Sequence, residues 1–281
     1  MTTLPSGFWG RLGFYVLLLL LSLFVLVPGI WMVLTIFKRS SDLYNAQVDP
    51  FLYHPGPTLK HLVYLFTQSP FLTFVLNTQI IGVCEVAITL LVAVPAAYAL
   101  ARLTGRWGRD SGMALFLVYL IPPTLLFIPL YQVVTALGLA NTIWSLVLVY
   151  PTITIPFCSW LLLGFFKSIP ATLDEAAMID GNSRFGAFRK VALPQALPGI
   201  AACVVFAFSL QLSNYIYAAT FVTSTGAMTV SFGVPTEMIR GDVFFWQALM
   251  GANAVVAIPL TIAYGLLFNR LVMGFQSAEG G

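Results

Sequence analysis

The chain has 281 residues, of which 59% are hydrophobic and only 8% charged, with a formal net charge of +3. Soluble domains carry roughly 25% charged residues, so this composition excludes a disordered chain and argues against a water-exposed globular enzyme. The apolar content is enough for six membrane spans of about 20 residues each. The small net charge gives no reason to expect nucleic acid as a partner.

The charges punctuate long neutral runs. Leu12 to Phe37 is uncharged and forms a first span, too long for a signal-peptide core and without a small-residue cleavage site after it. Between His61 and Ala101 only Glu85 is charged, and the apolar part from about Phe74 makes a second span. Ser111 to Phe166 is 56 residues without a charge, too long for one crossing. The turn-forming stretch Thr135 to Asn141 divides it into spans three and four. The apolar part of Val191 to Thr236 ends near Ala219 and gives span five, and Val243 to Asn269 gives span six. The expected spans are therefore 12–37, 74–101, 112–132, 142–166, 197–219 and 246–269. The runs are continuously apolar and not alternating, which favours an all-α membrane protein over a β-barrel.

Lysines and arginines set the orientation. With both termini in the cytoplasm, Arg11, Arg102, Arg106, Arg109, Lys167, Arg184, Arg189, Lys190 and Arg270 face inward, against Lys38, Arg39, Lys60 and Arg240 outside. That excess is the one the positive-inside rule expects.

Cys84, Cys158 and Cys203 each lie in a different apolar span, which reads as buried small side chains rather than a disulfide framework or metal site. His54 and His61 lack a metal-binding spacing. The sequence contains no G-x-x-x-x-G-K-[ST] phosphate loop, no H-E-x-x-H and no G-x-S-x-G elbow, so no catalytic and no metal-ligating residue is assigned. If an energy-driven process is involved, another subunit binds the nucleotide.

The most informative stretch is the loop 167–194. Ile169-Pro170 precedes Thr172 and Glu175, a capping-box spacing that predicts a helix starting near Thr172. Gly181-Asn182 ends it as a C-cap, and a second helical stretch, 183–191, leads to Leu193-Pro194. Ala176 and Ala177, beside Leu173 and Met178, allow another backbone to come close, which suits docking, and Ala177 is expected to face a partner's groove.

Glu175-Ala176-Ala177, three residues, Gly181, nine residues, Val191, then Leu193-Pro194 resembles the Glu-Ala-Ala loop of ABC importer permeases. The resemblance covers nearly the whole chain and points to the carbohydrate branch, the maltose-type second permease. Asn77-Thr78, Ala96 to Arg102, Ile128-Pro129-Leu130, Asp180-Gly181 and Asn214-Tyr215 are similar to family segments. Ser213 stands where the family often has tryptophan, and the tail ends Ser277-Ala278-Glu279-Gly280-Gly281 instead of Gly-Ala-Val-Lys-Gly.

The resemblance implies a six-helix, type I importer permease fold that pairs with a second, homologous permease as a heterodimer. Two ATPase subunits would dock beneath and bind ATP and Mg, so this chain needs no cofactor. An extracytoplasmic solute-binding protein would deliver a sugar, oligosaccharide or polyol across a bacterial or archaeal cytoplasmic membrane. The loop would be the coupling helix, its contact residues Leu173, Glu175, Ala176, Ala177, Asp180 and Gly181. Membrane lipid surrounds the chain, and no nucleic acid is involved.

The solute pathway is carried by fewer residues. Glu85 lies roughly 16 Å along its helix from Phe74, near the bilayer centre, where an ionised acid costs about 2.5–3.5 kcal/mol and should face protein or water. It either lines the cavity or is protonated against a neighbouring helix. Gln211, Asn214 and Tyr215 fall at i, i+3 and i+4 of span five and so share one face, placed either to hydrogen-bond a polyhydroxylated solute or to join helices. No span contains lysine or arginine, which favours an uncharged solute. A secondary transporter using Glu85 as its coupling acid, another polar solute, and a membrane enzyme or sensor without transport are the alternatives.

Overall fold

A computed structural model describes residues 7–47, 49–54, 56–241 and 243–279. Four of its helical stretches are long and apolar enough to cross a membrane: Phe8–Ile36, Phe71–Arg102, Ile143–Ser168 and Trp246–Leu266. Two bent pairs raise the number to six if each counts as one span. Packing divides the chain into two compact units, one made of residues in 1–69 and 235–258, the other of residues in 70–234 and 259–281.

In the first unit, α1 (Phe8–Ile36) leaves most of its apolar stretch exposed and buries Thr35 and Ile36 at its end. Beyond it, a short α2 (Ser40–Leu43) and the loop to Thr58 fold back on the helix end. Thr58 donates its amide to Phe37 O at 2.9 Å, and the Tyr53 hydroxyl donates to Leu34 O at 3.2 Å. Lys38, buried, donates to Asp49 O at 3.3 Å and lies over the Trp31 ring. Helix α3 (Lys60–Thr67) buries Leu65 completely.

The second unit is built on α4 (Phe71–Arg102), which packs most extensively against α8 (Pro151–Ser168). Span three is not the single helix expected over 112–132. It divides into α5 (Arg106–Tyr119), a 3-10 turn Pro123–Leu126 and α6 (Phe127–Ala136), with a bend of 83°. Pro122-Pro123 causes it: neither can donate to the ladder, and each pushes the preceding residue out of the helical region. The turn expected near 135–141 is present. Asn141 takes φ 58 there, and its carboxamide oxygen accepts from Thr223 N and Ser224 N, both at 2.8 Å.

Helix α7 (Ile143–Val149) runs through a helical Tyr150 into α8. Then come α9 (Ala171–Ile179), α10 (Arg184–Ala187), a π-helical turn Phe188–Ala192 and α11 (Leu193–Gln195). Span five is also broken: α12 (Leu197–Ser213) stops at Asn214, and α13 (Tyr215–Phe221) starts anew. The core here joins α4, α8 and α12 through Ala93, Ala97, Leu162, Phe166, Cys158 and Cys203, so those two cysteines are buried apolar packing. Gly82 lets α12 approach α4 closely: a Cβ there would meet the Phe208 ring and stand 2.9 Å from Gln211 Nε2.

The chain continues through α14 (Val230–Met238) and a two-stranded hairpin, β1 (Ile239–Arg240) with β2 (Val243–Phe244), to α15 (Trp246–Glu279). Helix α14 and the hairpin had no counterpart among the expected elements. Gly280 and Gly281, the end of the atypical tail, lie outside the described residues.

Candidate functional site: the docking loop and the polar strip

Helix α9 begins two residues earlier than its capping-box spacing predicts. Pro170 is the N-cap, so Thr172 sits inside the first turn and no side chain caps the helix. The C-terminus forms as the sequence indicates. Gly181 takes φ +85, its amide donates to Met178 O at 3.1 Å, and Asn182 N donates to Ala177 O at 3.1 Å. Those two bonds are the paired closures of a Schellman motif, which a residue with a Cβ fits poorly. Asn182 Nδ2 adds a third bond to Ala177 O at 3.0 Å, and Lys190 Nζ donates to Asn182 Oδ1 at 2.8 Å, tying the two halves of the loop together.

Of the residues assigned to docking, Leu173, Glu175, Ala176, Asp180 and Gly181 are exposed; Ile179, outside that set, is 86% exposed. Ala177 is not on that face. It is buried within this chain at 7% exposure, because the side of α9 carrying residues 174 and 177 packs against the chain's own helices. The expectation that Ala177 meets a partner's groove is therefore corrected, and Ala176 with Ile179 occupies the outward strip.

Sequence reasoning missed Asp174. Its Oδ2 accepts from Arg102 Nε at 2.7 Å with both side chains largely buried, and Arg102 also donates to Ile169 O at 2.7 Å. A charge-assisted pair so enclosed fastens α9 to the end of α4. The available signal was that Arg102 closes a neutral run and Asp174 adjoins Glu175, but nothing in the spacing joins positions 72 residues apart.

The polar strip is dispersed. Asn214 takes φ −88, ψ 81 and breaks the helix, and its side chain accepts from Tyr217 N at 3.0 Å as the N-cap of α13. Gln211, Asn214 and Tyr215 consequently share no face. Gln211 is buried and donates to Thr78 O at 3.2 Å, while Tyr215 is 47% exposed. Glu85 is fully buried, with neither carboxylate oxygen in hydrogen-bonding geometry, although the Thr154 hydroxyl of α8 lies alongside. Within this chain Glu85 is enclosed by its own helices.

Other polar groups do the joining. Asn77 Nδ2 donates to Gly226 O and Met228 O, both at 2.9 Å, and Thr78 Oγ1 accepts from Val230 N at 2.9 Å. Tyr150 stacks on Tyr217 at 5.9 Å, and the Tyr217 hydroxyl donates to Pro123 O at 3.2 Å.

Several helices long and apolar enough to cross a membrane, packed into a bundle, are the architecture of an integral membrane protein. Residues 93–275 match the family described as the binding-protein-dependent transport system inner membrane component. The chain is 32% identical to the sulfoquinovosyl glycerol transport system permease protein SmoH of Agrobacterium fabrum, covering 90% of this chain and 87% of that one. It is 30% identical to the inner membrane ABC transporter permease protein YcjP of Escherichia coli over 96% of both. To the trehalose/maltose transport system permease protein MalG of Thermococcus litoralis it is 27% identical, over 92% of both. A chain of a bacterial ABC transporter that imports the acidic polysaccharide alginate shares the fold, with TM-score 0.78, 20% identity and coverage of 95% and 99%. The chain belongs to the binding-protein-dependent inner-membrane permease family and is the transmembrane subunit of an ABC importer.

Proposed function

We propose that this permease forms half of the path for a sugar, oligosaccharide or polyol, beside a second permease, and that loop 167–194 couples it to two ATPase subunits. The chain itself carries no catalytic step and no cofactor, since ATP and Mg belong to the ATPase partners. Both termini and the loop lie in the cytoplasm of a bacterium or archaeon, and a solute-binding protein docks on the far side. The observation that carries this reading is α9: a helix closed by a Schellman motif, fastened by Arg102–Asp174, with Leu173, Ala176 and Ile179 left exposed. Exposed apolar side chains on a rigid element suit burial in a partner's groove. The carbohydrate class rests on relatives whose names specify a sulfoquinovosyl glycerol and a trehalose/maltose system.

The test is purification of the tagged chain from its native operon. An ATPase and a second permease should accompany it, and Ile179→Asp should release the ATPase while the permease pair remains. Isolation of the wild-type chain without any ATPase would remove the proposal. Cysteines at Ser183 and Ser277 should react only with reagents that reach the cytoplasm, and one at Thr58 only from outside.

A further inference from the structure

A groove of about 470 Å³ lies wholly within the second unit, between α5 and α8, with Gly112, Met113, Trp160, Gly164, Lys167 and Ser168 in its lining. That volume is in the range of small-molecule sites. Its shape, its depth in the membrane and its one charge indicate what it holds.

Two glycines shape it. A Cβ at Gly112 would collide with the Leu163 side chain, so this glycine lets α5 lie close against α8. A Cβ at Gly164 would meet nothing within 4 Å, and the open space there is the floor of the groove. Trp160 sits against Phe116 with ring centroids 4.7 Å apart, and Met113, 58% exposed, forms a wall. Trp160, Gly164 and Lys167 fall at i, i+4 and i+7 of α8 and so share one face. The groove therefore follows the helix for about 10 Å.

The span sets the depth. Ile143–Ser168 is an apolar stretch of 26 residues, about 39 Å at the helical rise, against a hydrocarbon core of about 30 Å. Its charged last turn stands among the lipid headgroups, and Trp160 lies about two turns deeper, in hydrocarbon. Lys167 is exposed and has no ion pair among the described residues. The Ser168 hydroxyl already donates to Phe165 O at 2.8 Å, which leaves the Lys167 ammonium to meet a headgroup. An apolar slot that ends at one cation on the membrane surface is complementary to an apolar chain with an anionic head. Basic pockets between membrane helices take such lipids.

We propose that this groove is a binding site for an anionic phospholipid. One acyl chain lies along Gly164 between α5 and α8, and the headgroup phosphate rests on Lys167. A zwitterionic lipid fits the slot equally but brings a cation of its own toward Lys167. The inference rests on the reading of the chain as a membrane-spanning permease and is independent of the solute.

The assembled importer is placed in nanodiscs of phosphatidylcholine with increasing phosphatidylglycerol, and retained lipid is counted by native mass spectrometry. Wild type should retain phosphatidylglycerol in preference to phosphatidylcholine, and added inorganic phosphate should not displace it. Lys167→Met should weaken phosphatidylglycerol about fivefold, the worth of one lysine at an anionic surface, and leave phosphatidylcholine unchanged. Gly164→Trp should fill the slot and reduce retention of both lipids while the two permeases stay paired. Equal retention of phosphatidylglycerol by wild type and Lys167→Met overturns the site, and that comparison decides alone if Gly164→Trp does not fold. Displacement by inorganic phosphate shows an anion site without the lipid chain and also overturns it. If Gly164→Trp separates the permease pair, the groove receives the second permease and the lipid assignment falls. Solute uptake by the same preparations is the independent measure: an importer that transports while retaining no Lys167-dependent lipid removes the site and leaves the functional reading intact.

Discussion

The loop 169–194 and the strip 211–217 both carry residues at helical spacing, yet only the first keeps the helix end its sequence suggests. In the loop, Gly181 and Asn182 close α9 through bonds to Met178 and Ala177, all within six residues. In the strip, Asn214 has a local choice between continuing α12 and capping α13, and it caps. Helix geometry can be read forward from a sequence when its ends are fixed by local bonds. It fails where a polar side chain competes with the ladder for the same backbone donor.

The largest effect expected from breaking this comparison is at the loop's one long-range fastening. Asp174→Leu leaves Arg102 buried without its partner, which costs about 3–5 kcal/mol. Proteolysis of the loop should accelerate and uptake should fail. The double change Arg102→Met with Asp174→Leu should be much milder in stability, yet it should still separate ATP hydrolysis from uptake if the pair transmits motion to α4. Uptake unchanged in both would show that the fastening is only structural.

Next comes the glycine at the helix end. Gly181 and Gly138 both have positive φ, +85 and +70, and open space around them. Valine at either site should cost a similar 1–2 kcal/mol, roughly the left-handed penalty. Only Gly181→Val should lower ATPase docking and solute-stimulated hydrolysis. Equal losses at both would remove the functional distinction between loop and turn.

Within the strip, Asn214→Ala should cost about 1 kcal/mol, the usual worth of an N-cap, read as a lowered melting temperature. Glu85→Gln should leave uptake largely intact, because the carboxylate has no partner to lose. Complete loss of uptake in a well-assembled Glu85→Gln variant would return the ion-coupled alternative.

The smallest effect concerns pH. The folded-state pKa of His61 lies below its ordinary 6.5, so the unfolded chain binds the proton first and stability falls as pH drops below about 6.5. Thermal melts of His61→Gln should show a shallower acid-side loss than wild type.

Much of the architecture was legible in the neutral runs, since a bilayer demands about 20 apolar residues per crossing whatever they touch. The helix Phe71–Arg102 and the turn at Asn141 follow from that and from turn chemistry. The Gly181 closure follows from backbone sterics alone. Three things did not follow. The direction of Ala177 depends on which side of α9 meets the chain's own helices, and an alanine suits either side. The Arg102–Asp174 pair spans 72 residues, and many basic and acidic side chains could have met. The burial of Glu85 and Gln211 depends on the close approach of α4, α8 and α12, which Gly82 permits but does not announce. Local bonds and the membrane's thickness act on neighbours in sequence, so the sequence by itself determined the apolar runs and the turns at Gly181 and Asn141, but not the breaks at Pro122-Pro123 and Asn214. Which side chains face one another is decided by packing between distant segments, and only the tertiary structure could decide that.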